Sequence, residues 1–179
     1  ALQTRLGELP EPPPHSFIGR SRELLVLERL LSRNQAVTLV GQGGEGKTAL
    51  AVELSRWLVR SHRFQRAVFV SAERLEDARV FNDARTLLDA IGRQLLPQYT
   101  VAEYGKDLEQ ARLRIERALS DYHTLIVIDN LESLLPFQSS KRDTELTPEE
   151  RLRGIESAFA EPEILAEVVT LCQTLQRVK

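Results

Sequence analysis

The 179-residue sequence has no methionine, one cysteine, one tryptophan and three tyrosines. A single thiol, Cys172, can build neither a disulfide frame nor a cysteine-based metal site. Its spacing from Val168, Leu171 and Leu175 reads as a small apolar residue on a helix face. No apolar run approaches the ~20 residues of a membrane-spanning helix, and the first residues lack the pattern of a secretory signal. A reducing, cytoplasmic setting is therefore the expectation. Neither sign of charge dominates: 24 basic and 26 acidic residues leave a net charge of −2, which gives no general electrostatic case for nucleic acid or an anionic membrane. Only four of the basic residues are lysines, and there is no internal repeat. The missing methionine, with Ala1 first, fits either a piece cut from a longer protein or loss of an initiator residue. What remains is an ordinary globular mixture, 42% hydrophobic and 28% charged, long enough for one domain with a sizeable core.

The most informative stretch runs from Val37 to Leu50. Val37-Thr38-Leu39-Val40 enters a glycine-rich loop, and the spacing from Gly41 to Thr48 fits G-x-x-x-x-G-K-[ST], the phosphate-binding P-loop. A polyphosphate needs converging backbone N–H groups, and glycines at 41, 43, 44 and 46 clear the approach and permit positive φ. A helix starting near Lys47 adds its N-terminal dipole. Lys47 supplies a point charge for the β and γ phosphates, and the Thr48 hydroxyl a ligand for Mg²⁺. The same residues, Gly41-x-Gly43-x-x-Gly46, also spell the dinucleotide fingerprint G-x-G-x-x-G.

Along the chain, Ala1 to Leu9 carries no clear period, and Pro10-Glu11-Pro12-Pro13-Pro14 reads as a stiff linker. Leu24, Leu27, Leu30 and Leu31 share one face of a helix, and Ala36 to Val40 reads as a short buried strand. A helix from Lys47 to about Arg60 turns Leu50, Leu54, Trp57 and Leu58 inward, and Ala67 to Ser71 is a second strand. Asp83 can cap a helix that stops at Pro97, and Asp107-x-x-Gln110 resembles a capping box for another. Thr124 to Asp129 is a third strand, uniformly apolar until its final acid. Pro136 to Asp143 is irregular, a helix is expected from Thr147 to about Phe159, and the last helix begins near Pro162. Such alternation implies a mainly parallel sheet with helices on both faces.

Leu125-Ile126-Val127-Ile128-Asp129 has the pattern of a Walker B strand, about 80 residues after the P-loop. Ligands in an open α/β sheet sit beyond the carboxyl ends of the strands, so Gly41 and Asp129 can serve one site. Asp129 would then hold Mg²⁺ through water, completing what Thr48 begins. The dinucleotide alternative needs an acid closing the second strand. Glu73 falls 27 positions beyond Gly46, later than that fold's spacing, and Lys47-Thr48 and Asp129 would be unexplained. There is no H-R-D or D-F-G of a protein kinase and no N-K-x-D of a GTPase, which leaves ATP as the expected nucleotide.

Together these residues resemble the STAND class of signalling NTPases, which includes the NB-ARC ATPases. Phe17-Ile18-Gly19-Arg20-Ser21-Arg22-Glu23 looks like that class's hhGRxxE stretch, Gly41 to Leu50 like its G-x-G-G-x-G-K-T-x-L. Phe64 to Val70 resembles its second-strand motif, and Ile128-Asp129-Asn130-Leu131-Glu132 the D-N-x-E form of many bacterial members. The resemblance implies a three-layer α/β/α P-loop NTPase fold around a mainly parallel sheet. It implies ATP or ADP with Mg²⁺ as cofactors, Ile18 and Arg20 against the adenine, and Gly41, Gly43, Gly44, Glu45, Gly46, Lys47, Thr48 and Ala49 around the phosphates. Thr48 and Asp129 would serve the metal, with Lys47, Asp129 and Glu132 as the catalytic set. It further implies a nucleotide-dependent homo-oligomer, flanking domains on the same chain such as a caspase-like (CHAT) effector or helical repeats, and no direct nucleic-acid or membrane binding.

Two departures qualify the match. Many relatives carry a second acid after the Mg²⁺ aspartate, whereas Asn130 cannot act as a base; Glu132 reads equally as its substitute or as a solvated turn residue. The γ-phosphate sensor strand and lid of the class are missing, so the fold is expected to be incomplete. Residues 1–15 are expected to be an N-terminal segment and linker, and residues 16–179 the N-terminal part of a nucleotide-binding domain. The expected function is an Mg-ATP-binding, slowly hydrolysing switch that controls oligomerisation or an effector. The alternatives are a nucleotide-stabilised scaffold without turnover and a dinucleotide-binding oxidoreductase.

Overall fold

The computed structural model describes residues 6–11, 19–72, 81–134 and 163–178. The expected irregular stretch from Pro136 and the helix over 147–159 lie outside them, as do Ile18 and the side chain of Glu132. Helix α1 (Ser21–Leu31) turns Leu24, Leu27 and Leu31 toward α2 (Lys47–Arg60). Strand β1 (Arg66–Ser71) leads to α3 (Ala84–Leu95), a short 3-10 helix (Val101–Tyr104), α4 (Leu108–Asp121) and strand β2 (Thr124–Asp129). A second 3-10 helix (Leu131–Leu134) follows, and α5 spans 163–176.

Local chemistry sets the ends of these elements. Asp83 caps α3 by accepting from the Thr86 N–H at 2.6 Å, while the Thr86 hydroxyl oxygen accepts from the Asp83 N–H at 3.1 Å, two orphan donors satisfied reciprocally. Asp107 accepts from the Gln110 N–H at 3.1 Å and starts α4 as expected. At the other end of the strands, Arg66 lies over the Tyr122 ring, 3.7 Å from its centroid, and Phe64 stacks on His123.

β1 and β2 run parallel, with Val68 opposite Ile126 and Val70 opposite Ile128. These four side chains face one apolar cluster, built with Leu87, Leu88 and Ile91 of α3, Ile115 of α4 and Val168 of α5. Leu125 faces the second cluster, formed by Leu27 of α1 and Leu50, Leu54 and Leu58 of α2. A parallel sheet between two helical layers is the α/β architecture expected from the alternating pattern.

One expected strand differs. Residues 36–40 have no ladder partner among the described residues; Val37 and Leu39 pack on the second cluster, while Val40 is 91% exposed. β2, expected to be enclosed, is only half-buried until Asp129, because among the described residues just one of its edges is paired. Both observations agree with an incomplete sheet.

Candidate functional site

The loop between residue 40 and α2 is shaped by two left-handed glycines, Gly44 at φ 81° and Gly46 at φ 76°. Gly46 is the N-cap of α2, no side chain caps the helix, and its first turn carries no acid. Its first backbone N–H groups therefore lack intrahelical acceptors and stand at the positive end of the helix dipole. Gly43 and Gly44 have open space where a Cβ would project.

The loop is also cross-braced by its own side chains. Lys47 Nζ donates to the carbonyls of Gly41 at 2.9 Å and Gln42 at 3.1 Å. The Glu45 carboxylate accepts from the Gln42 N–H at 3.0 Å and lies so close to Gly41 that a Cβ there would sit 2.3 Å from Oε2. A side chain at position 41 would thus displace the Glu45 carboxylate from the Gln42 N–H.

Asp129 closes the site from the sheet. Its carboxylate, 9% exposed, accepts the Thr48 hydroxyl at 2.8 Å, so the end of β2 touches the first turn of α2. The chain then turns through Asn130 at φ 55°, and the Ser133 N–H donates to the Asn130 carbonyl at 2.9 Å, starting the 3-10 helix that contains Glu132. Buried Ser71 stands in register with Asp129, and Asn130 Nδ2 approaches its hydroxyl at 3.5 Å.

Of the residues singled out in the sequence, Gly41, Gly43, Gly44, Glu45, Gly46, Lys47, Thr48 and Ala49 form the loop and first turn of α2, and Asp129 joins them. Arg20, at the N-cap of α1, lies beside the loop, its Nη1 3.7 Å from the Cβ position of Gly46. The sequence pattern did not reveal the Glu45 brace, because position 45 is unrestricted in the motif, nor Ser71, whose only signal is its place at the end of β1.

A protein-family model described as an AAA domain matches residues 29–174, most of the chain. The chain belongs to the AAA domain family. That assignment places it among P-loop NTPases, and nucleotide binding follows from the family and from the loop it carries. An uncharacterized WD repeat-containing protein of Nostoc sp. is 29% identical to the AAA domain over 137 residues, covering 74% of this chain and 10% of that protein. The chain thus spans about a tenth of that relative's length. No solved structure gives a significant match.

The AAA domain's donor set also fits a hard cation. Thr48 and Asp129 offer only oxygen ligands at a helix N-terminus where phosphates would add more, the pattern that suits Mg²⁺. Among the described residues no group of three or more His, Cys, Asp or Glu could hold a metal. Among the same residues no helix is long and apolar enough to cross a membrane.

Proposed function

We propose that this AAA domain is an Mg-ATP-binding switch of the STAND type that controls oligomerisation or an attached effector. The observation that carries the reading is the 2.8 Å contact between Thr48 and Asp129, which joins the P-loop helix to a strand-end acid. Bound Mg²⁺ supplies charge neutralisation at the β and γ phosphates. Thr48 would hold it directly and Asp129 through water, and Lys47, now on the Gly41 and Gln42 carbonyls, would supply its charge to the phosphates. The N–H groups of Gly43 to Ala49 would take the phosphate oxygens. Arg20 and Ile18 would flank the adenine, as the resemblance implies, and the place of Arg20 beside Gly46 would bring its guanidinium to the phosphate end of the same nucleotide.

Glu132 is proposed as general base, with slow turnover because Asn130 cannot polarise water. Residues 16–179 would be the first part of the nucleotide-binding domain, with the sensor strand and lid supplied by further chain. Among the described residues, the lack of a ladder partner for residues 36–40 and the single paired edge of β2 support this. The WD repeat-containing relative supports a multidomain setting with flanking domains on one chain, and a cytoplasmic location belongs to the same reading.

Nucleotide occupancy would act as a population shift, by binding one arrangement of the flanking domains more tightly than another. Asn130 favours a second reading, a nucleotide-stabilised scaffold without turnover. Calorimetric titration tests the proposal: Mg-dependent ATP binding should be lost in Lys47→Ala. Tighter binding of NAD(H) than of ATP would refute both readings, and phosphate release that survives Glu132→Gln would remove Glu132 as the base.

A further inference from the structure

Residues 6–11 carry no hydrophobic period, yet they are tied to two elements of the domain. The Glu8 N–H donates to Gln94 Oε1 at 3.0 Å. The same amide grips β1: Oε1 accepts from the Phe69 N–H at 3.1 Å, and Nε2 donates to the Phe69 carbonyl at 2.8 Å. Gly7, at φ +54°, passes so near that a Cβ would lie 2.6 Å from Gln94 Oε1 and 2.7 Å from the Ala67 carbonyl oxygen. On the other side, Arg56 Nη2 of α2 donates to the Pro10 carbonyl. Through Gln94 of α3 the segment therefore links β1 to the flank of α2.

Both bridged elements end at the candidate site. α2 begins with Lys47 and Thr48, and β1 is in register with β2 through Ser71 and Asp129. The Thr48–Asp129 contact requires a fixed spacing between α2 and the sheet, and residues 6–11 hold both. Arg56 sits eight residues beyond Thr48, about 12 Å along a stiff helix, so a displacement there is carried to the loop. Arg56 is 6% exposed. Burial pushes its pKa below the ordinary value against the opposing fields of Glu53 and Glu11. A guanidinium in that position needs acceptors, and the Pro10 carbonyl is one of them.

We propose that residues 6–11 form a strap that sets the spacing between α2 and the sheet, so that seating the strap and binding Mg-ATP strengthen each other. This rests on the nucleotide reading above. Linkage makes the effect reciprocal: whatever factor the strap adds to nucleotide affinity, the nucleotide returns to the strap.

The test uses the whole chain in two measurements. Amide exchange at Glu8 is followed with and without Mg-ATP, and Mg-ATP is titrated into wild type and Gly7→Ala. The added methyl meets Gln94 Oε1 and the Ala67 carbonyl oxygen at a left-handed backbone position, while its 3.6 Å approach to Val68 Cα is an ordinary contact, so the strap is displaced rather than the phosphate loop. Exchange at Glu8 is expected to slow about fivefold or more, and Gly7→Ala to weaken binding by the same factor. Arg56→Met, which keeps the aliphatic stem and removes the donor, should weaken binding in the same direction. If wild type binds Mg-ATP but Glu8 exchange is unchanged, or both variants bind as tightly, the strap is refuted and the nucleotide reading stands. If wild type does not bind, both fall. Should the variants fail to fold, the wild-type exchange experiment decides alone.

Discussion

Replacing Asp129 with asparagine removes one charge and almost no volume. The side-chain carbonyl can still accept the Thr48 hydroxyl, which lies 2.8 Å from the carboxylate, so the loop should keep its place. What disappears, on the proposed reading, is the field on the metal. Two unit charges 4 Å apart interact by about 4 kcal/mol at an effective dielectric of about 20, and a divalent ion doubles that as a ceiling before desolvation is counted. Losing an outer-sphere partner costs about 10–100-fold in metal affinity, or about 1.4–2.8 kcal/mol. Asp129→Asn should therefore lose about that much of the Mg²⁺ contribution to ATP binding, with metal-free binding unchanged. Because the carboxylate is 9% exposed, neutralising it should leave the nucleotide-free melting temperature equal or higher. Calorimetric titrations of ATP at several Mg²⁺ concentrations, paired with thermal melts, measure both. Identical Mg²⁺ dependence in two equally folded proteins would refute the metal role and leave Asp129 only as a partner for Thr48.

Further outcomes follow from single contacts. Gly41→Ala forces the Glu45 carboxylate off the Gln42 N–H, a loss of about 0.5–1.5 kcal/mol, and should weaken nucleotide binding roughly two- to tenfold. In the Gly41→Ala/Glu45→Ala double variant the two losses should not add, and additive titration data would deny the brace. Gly92→Ala places a Cβ 2.1 Å from the Tyr99 ring in a packed core, so it should destabilise by about 1–3 kcal/mol; an unchanged thermal melt would contradict that packing. The Tyr99 phenol, which donates to the Ala111 carbonyl at 3.1 Å, is held well above its ordinary pKa by burial and, secondarily, by Tyr104 and Asp89. Its raised value gives stability that is complete below about pH 10 and lost as the pH climbs past the unfolded value. Tyr99→Phe should flatten that alkaline decline in melts taken from neutral to high pH.

Where the chain's structure depends on neighbours in sequence, it was legible from sequence. The start of α2 at Lys47 and the caps at Asp83 and Asp107 need only local hydrogen-bonding chemistry, and β1 and β2 fall where apolar runs meet turn residues. The meeting of Thr48 with Asp129 was also readable, because a P-loop followed by an apolar run ending in an acid is a recognisable pair. Residues 36–40 show the limit. An apolar run states that a strand is possible, while a ladder needs a second backbone that the pattern does not specify. The strap shows it more sharply. Its contacts join residues 86 and 46 positions apart, through one amide and one guanidinium that look like ordinary helix-surface residues. The bracing role of Glu45, a residue already placed at the site, escaped for a third reason: its carboxylate acts on a loop conformation that exists only after folding.

The left-handed turn at Asn130 has a consequence for how such a domain could be retimed. At φ 55° the backbone readily accepts asparagine, aspartate or glycine and resists β-branched residues. Amide and carboxylate are therefore interchangeable in shape there and opposite in chemistry, since only one can take a proton from water. On the proposed reading, a single atom's identity at position 130 would separate a slow clock from a fast one, with no change in the turn that carries it.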